Sequence, residues 1–292
     1  MMSRFTFFMA AILAGIVLVT APVYGAQDIV ATKAAKAPTL DGSGDDAVWA
    51  KAQTYTIHDE RMKADITLKA LYANNMVFFL VQYPDRTEDR LHKPWVWNKE
   101  LEIYKPGNQR EDTFIFKWNM EKHEVDLSNF ADNNYVADVW YWKAHRTNPA
   151  GYSDDKSQVF SSESGKKATE IISRTGKKRY LMRLGDAGTS AQKKQVLTDY
   201  AGDVQPQYVS RQPSGSRADV KAKGVWKNGQ WTIEYERKLV TGNADDVQFS
   251  NLKKKYLFGV SIKSLYGEEF DNSVPNFYGQ GRISEKLYLV FK

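Results

Sequence analysis

The sequence predicts an all-β protein, an antiparallel β-sandwich of immunoglobulin-like or jelly-roll-like type with a few short helices. Three observations lead there. Seven or more short runs show strand periodicity and are separated by turn residues, and no long stretch carries helical periodicity. Two of the turn signals, Asn74-Asn75 and Asn228-Gly229, sit between apolar runs in hairpin fashion. Apolar residues make up 42% of the 292-residue chain and aromatics 13%, which is enough to fill a space between two sheets.

The chain opens with Arg4, an apolar run over 5–20 and the small-residue site Val23-Tyr24-Gly25. That is the pattern of an export signal cleaved near Gly25, and at about 16 residues the run is short of the roughly 20 that span a bilayer. The expected location is therefore the periplasm or beyond. Losing Arg4 lowers the formal charge from +6 to +5, so the mature chain stays basic. The surplus allows peripheral contact with acidic partners or lipid headgroups but is too diffuse to specify one. No basic helix or aromatic RNA-binding signature is present, which argues against nucleic acid. Without cysteine, thiol catalysis, covalent haem attachment and cysteine metal sites are excluded.

Residues 26–36, rich in Ala and Lys, read as a flexible lead-in to a domain spanning 37–292. Asp41-Gly42 then marks a turn, followed by one helical turn with Trp49 facing inward. Residues 66–70 and 76–83 form a hairpin. Residues 84–112 form a long polar connection that contains Lys93-Pro94-Trp95-Val96-Trp97. Over 113–120, Phe114, Phe116 and Trp118 share one face, with Thr113, Ile115, Lys117 and Asn119 on the other. Residues 139–142, Val-Trp-Tyr-Trp, are an aromatic strand running into the turn Thr147-Asn148-Pro149-Ala150-Gly151. Residues 161–223 are basic, polar and poor in aromatics, and read as an insertion over the core. Strand pattern returns around Asn228-Gly229, at 256–263 and at 287–291.

Catalytic motifs are missing: there is no HExxH, GxSxG, Walker loop or dinucleotide glycine fingerprint. His58, His92, His123 and His145 show no i, i+4 pair for a helix-borne zinc site. Asp154-Asp155, Asp245-Asp246 and Glu268-Glu269 read as solvated turn charge. The expected role is therefore non-catalytic. Ligand binding is better supported, because Trp95, Trp97, Trp118, Trp140 and Trp142 fall close together. Such aromatics wall either a sugar or a porphyrin, and Lys93, Lys143, Arg146, Met120 and His145 lie near them in sequence.

These stretches carry a family resemblance. Lys93 to Trp97, Glu111-Asp112 leading to Trp118, Asp138-Val139-Trp140-Tyr141-Trp142-Lys143-Ala144 and Arg146-Thr147-Asn148-Pro149-Ala150-Gly151-Tyr152 resemble the haem-binding domain typified by the gamma subunit of ethylbenzene dehydrogenase. Trp231-Thr232-Ile233-Glu234, Arg237-Lys238-Leu239 and Thr241-Gly242 fit as well. Leu40-Asp41-Gly42 and Ala47-Val48-Trp49 are similar to the opening of family-nine carbohydrate-binding modules. The resemblance implies non-covalent haem b and electron transfer, beside a molybdenum oxidoreductase or a multihaem c-type cytochrome. In that family a Met and a Lys ligate the iron. Residues 130–137, the matching segment, hold no Met, so Met120 is the nearest; the Lys position falls at 243–246, with Lys238 offset from it. The expected iron ligands are drawn from Met120, His145 and Lys238. The expected pocket is Trp95, Trp118, Trp140 and Trp142, with Lys143 and Arg146 at the propionates. The alternative is a haem-free module stacking a glycan on Trp95 and Trp97.

Overall fold

The computed structural model describes residues 26–59, 62, 64–263 and 286–292. The signal-like segment 1–25 and Glu268-Glu269 lie outside them. Among the described residues no helix is long and apolar enough to cross a membrane.

One thirteen-stranded sheet winds into two facing layers. The first layer is built from β7 (Thr113–Asn119), β8 (Tyr135–Lys143), β9 (Asp154–Ser161), β10 (Thr169–Ile172), β11 (Lys178–Gly185) and β17 (Tyr256–Lys263), in the order β10-β11-β9-β8-β7-β17. The second holds β3 (Ala64–Ala73), β4 (Met76–Pro84), β15 (Lys221–Lys227) and β16 (Gln230–Lys238), with β2 (Tyr55–Asp59) beside β3. Two strands join the layers, β18 (Leu287–Phe291) and β1 (Gln27–Lys33). Pairing is antiparallel except at β1, which runs parallel to both β18 and β3.

That placement corrects the reading of residues 26–36 as a flexible lead-in. Ile29 and Ala31 alternate inward and are fully buried. A seven-residue strand between two partners is held by pairing that its Ala/Lys-rich composition does not reveal. The 161–223 segment is corrected in part, because β10 and β11 extend the main sheet from β9. The rest packs as small pieces. β12 (Gln192–Lys194) pairs with β14 (Tyr208–Ser210), and β13 (Val204–Gln205) adds to β5 (Trp95–Asn98), which also pairs with β6 (Ile103–Pro106).

The turns form as their residues predict. Asn74 and Asn75 take φ of 50° and 62°, and Asn228 and Gly229 take 52° and 78°, the left-handed pair a tight hairpin requires. Asp41-Gly42 and the short turn Ala47–Lys51 are fastened to β16. Glu234 accepts the Gly42 N–H at 2.7 Å and the Trp49 indole N–H at 2.8 Å.

Alternation along β7 and β8 decides the interior. Phe114, Phe116, Trp118, Trp140 and Trp142 all point between the layers and are fully buried. They meet the opposite layer ring to ring: Phe79–Phe116 at 4.9 Å, Phe116–Tyr235 at 5.1 Å and Trp142–Trp231 at 4.9 Å. A second core lies on the outer face of the first layer, where residues 120–134 fold over Ile115, Val139, Phe160 and Leu181. Lys117 is buried there and donates to the Leu127 carbonyl, Asn129 Oδ1 and the Tyr135 hydroxyl at 2.7–2.9 Å.

Candidate functional site

On that same outer face, at the opposite end of β7 and β8, is a cavity of about 290 Å³. The strand period builds most of it. Thr113, Lys143 and Lys263 are cross-strand partners on β7, β8 and β17, and Gln158 and Arg183 are partners on β9 and β11. Tyr141 and Lys156 complete the sheet side, while His92, Lys93, Arg110, Glu111, Arg146 and Tyr208 come from connecting segments above it. Among the described residues, seven cationic side chains line the cavity against one carboxylate, Glu111.

Two buried carboxylates hold part of this charge in place. Asp154 receives Lys143 Nζ at 2.5 Å, Lys156 Nζ at 3.1 Å and the Arg217 guanidinium. Glu111 accepts the backbone N–H groups of His145 and Arg146 at 2.8 and 2.9 Å, along with Arg146 Nε. It thereby fixes the turn after β8, and His92 Nδ1 is 3.3 Å from the same carboxylate. Burial pulls Lys143 down to about 7, opposed by Asp154 and reinforced by Arg146 and Lys156. Burial, then Arg146, Arg110, Lys143 and Lys93, push His92 far below its ordinary range, so its ring is neutral. Gln158, 4% exposed, carries a buried Oε1 without a hydrogen-bond partner. The surplus of positive charge suits this cavity to an anion.

The structure brings together only part of the expected haem pocket. Lys143 and Arg146 do line one cavity. Trp118, Trp140 and Trp142 do not join them, because they point between the layers, whereas the odd positions of β8 point to the outer face where the cavity lies. Nor do the expected iron ligands converge. Met120 follows β7 at the end paired with Ala137, whereas His145 lies beyond Lys143, roughly 20 Å along the same hairpin. Lys238 is exposed at the end of β16, next to Arg237, which reaches Asp138 at Met120's end. The residues singled out for haem therefore do not fit a single haem site. Trp95 and Trp97, half-buried on β5, stand apart from the sandwich interior. Lys194 lies over Trp95 at 4.9 Å, and Tyr104 and Tyr200 meet Trp97 edge-on.

Just beyond the segments where the resemblance puts the axial Met and Lys the chain does meet itself, but it brings other chemistry. Val247 N–H donates to Asp138 Oδ2 at 2.9 Å, and Asp246 comes alongside with Arg237. This also corrects the reading of Asp154, Asp155 and Asp246 as solvated turn charge, since all three are at most 1% exposed. Of the cavity lining, Arg110, Lys156, Gln158, Arg183, Tyr208 and Lys263 were missed from sequence. Outward-facing Lys, Gln and Arg on neighbouring strands are the usual sign of a solvated face, and only their register converges them.

The fold and its recess define a β-sandwich with a cation-lined cavity on one outer face. The chain belongs to the ethylbenzene dehydrogenase family, whose model matches residues 33–262. A search of curated proteins found no match. Among solved structures the chain is similar to a carbohydrate-binding module of family 9 from Caldicellulosiruptor kristjanssonii, solved with glucose and with cellotriose. Identities are 10% and 12%, the TM-score is 0.39 in both, and coverage is 91% of this chain and 97% or 95% of those. It is also similar to a putative carbohydrate-binding protein from Bacteroides uniformis, at 8% identity and a TM-score of 0.38, covering 90% of this chain and 99% of that one. At that level of likeness nothing about a ligand transfers.

Proposed function

We propose that the protein is a non-catalytic binding subunit, exported after cleavage near Gly25, that holds a small anion with two or more acid groups in the Lys143–Arg146 cavity. The observation that carries this reading is the lining: among the described residues, seven cations and one carboxylate surround about 290 Å³. A volume at the small end of ligand pockets suits a compact dicarboxylate or diphosphate. Membership of the ethylbenzene dehydrogenase family supports an accessory place beside an oxidoreductase. The resemblance implies that the redox partner is a molybdenum enzyme or a multihaem cytochrome. Haem b stays within this reading only as a ligand whose propionates would meet Lys143 and Arg146; no residue is assigned to its iron. The half-exposed rings of Trp95 and Trp97 support a second reading, a glycan stacked on β5.

Calorimetric titration with succinate and pyrophosphate tests the first reading. Both are expected to bind, and the double variant Lys156→Gln, Arg183→Gln is expected to lose about tenfold or more in affinity while keeping its fold. Equal affinity in variant and wild type would overturn it. Titration with haem, followed by absorption, runs in parallel. A Soret band that shifts on binding would restore haem as the ligand, and glycan binding lost in Trp97→Ala would favour the second reading.

A further inference from the structure

We infer that Asp138, Asp155 and Asp246 form a buried site for a hard divalent cation, with calcium the best match. The site is separate from the anion cavity and faces the other way, into the sandwich. Asp138 on β8 and Asp155 on β9 point inward beside Trp140, which is Asp155's cross-strand partner. Asp246 reaches them from the segment after β16. One oxygen from each carboxylate lies within 4.8 Å of the other two.

The second observation concerns what these oxygens lack. Asp138 Oδ2 is held by the Val247 N–H and Asp246 Oδ2 by the Thr241 hydroxyl, while Arg237 approaches those same two oxygens at 3.6 and 3.2 Å. The remaining oxygens, Asp138 Oδ1, Asp246 Oδ1 and both oxygens of Asp155, are buried with no hydrogen-bond partner among the described residues. Asp155 is 0% exposed, and neither of its oxygens receives an N–H or O–H donor from the described residues. Two carboxylates are thus oriented by outer contacts, as metal ligands usually are, and a third is left unspent.

Charge and size favour calcium. With all three carboxylates ionised, the one guanidinium would leave two negative charges beside the rings of Trp140 and Phe249 that flank Arg237. A buried excess of that kind calls for a counter-ion or for protons. Oxygen-only donors select calcium or magnesium over zinc. Calcium–oxygen distances of about 2.3–2.6 Å place opposite ligands up to about 5 Å apart, which accommodates this spacing; magnesium, at about 2.0–2.1 Å, demands a tighter shell. Because the site is closed, the ion enters as the chain folds.

The test uses the full mature chain, refolded with calcium chloride or with chelator. Elemental analysis of the calcium-refolded protein should find one ion per chain, and its melting temperature should exceed that of the chelator-refolded protein. Asp155→Asn should fold and lose both effects, with Asp246→Asn as the second variant if the first fails to fold. Absence of bound calcium together with identical melting in both refolded samples would overturn the site. A calcium response in Asp155→Asn equal to wild type would also overturn it, by placing the ion elsewhere.

Discussion

Trp142 and Lys143 are consecutive residues that serve opposite faces of one sheet. The indole of Trp142 is fully buried against Trp231, and its Nε1 donates to Asn148 Oδ1 at 3.1 Å. The ammonium of Lys143 lies on the other side, paired with Asp154 at the wall of the anion cavity. Stability and ligand binding are therefore separable at adjacent positions.

Trp142→Ala is expected to cost about 3–5 kcal/mol, the range for an aromatic deleted from a packed core. Denaturant unfolding should show the loss. Succinate affinity, measured below the melting range, should change little.

Gly224 is required by the same tryptophan. A Cβ at this position would come within 2.4 Å of Trp142 Cζ2, and Asn148 bonds both the N–H and the carbonyl of Gly224, at 2.7 and 2.9 Å. Gly224→Ala should lower the melting temperature, because the ring has no room to retreat. Asn148→Ala should do so as well, at a stability cost of about 2–3 kcal/mol, through buried groups left unpaired.

Binding in the cavity should weaken as pH rises. Lys143 is pulled down to about 7, so it carries its charge below that pH and sheds it above. Sulfate, whose own charge is constant in this range, should bind more weakly at about pH 8.5 than at about pH 6. Titration of Lys143→Met should flatten the profile; an unchanged pH dependence in that variant would assign it to another group.

Asp112 gives a pH effect on stability of known sign. Burial, then the charge of Asp85, raise it from 3.8 to about 9, although the Asp89 N–H and Trp231 Nε1 both donate to its Oδ2. A raised pKa in the folded state means that its contribution is full below about pH 4 and is lost as pH climbs toward 9. Asp112→Asn keeps an oxygen for both donors and cannot ionise. Its melting temperature should therefore fall less than wild type between about pH 5 and about pH 8.5.

What could be read from sequence was what period and turn chemistry encode locally. Asn74-Asn75, Asn228-Gly229 and the inward triplet Phe114, Phe116 and Trp118 needed no partner to be legible. The site needed register, which the chain does not print. Lys156 and Arg183 become neighbours of Lys143 only because β9 pairs with both β8 and β11. Asp155 looks like turn charge until its strand is seen to run between two others. The aromatic strand misled in the other direction. Its tryptophans and its lysine read as one pocket because they adjoin in sequence, whereas a period of two sends them to opposite faces.

The seam formed by β1 and β18 bears on when the protein can fold. β1 lies between β3, made soon after it, and β18, made after every other described strand, so the layers are not stitched together until that strand exists. Closure across so great a sequence separation is slow. Until then β1 has one of its two partners, and the seam between the layers stays open.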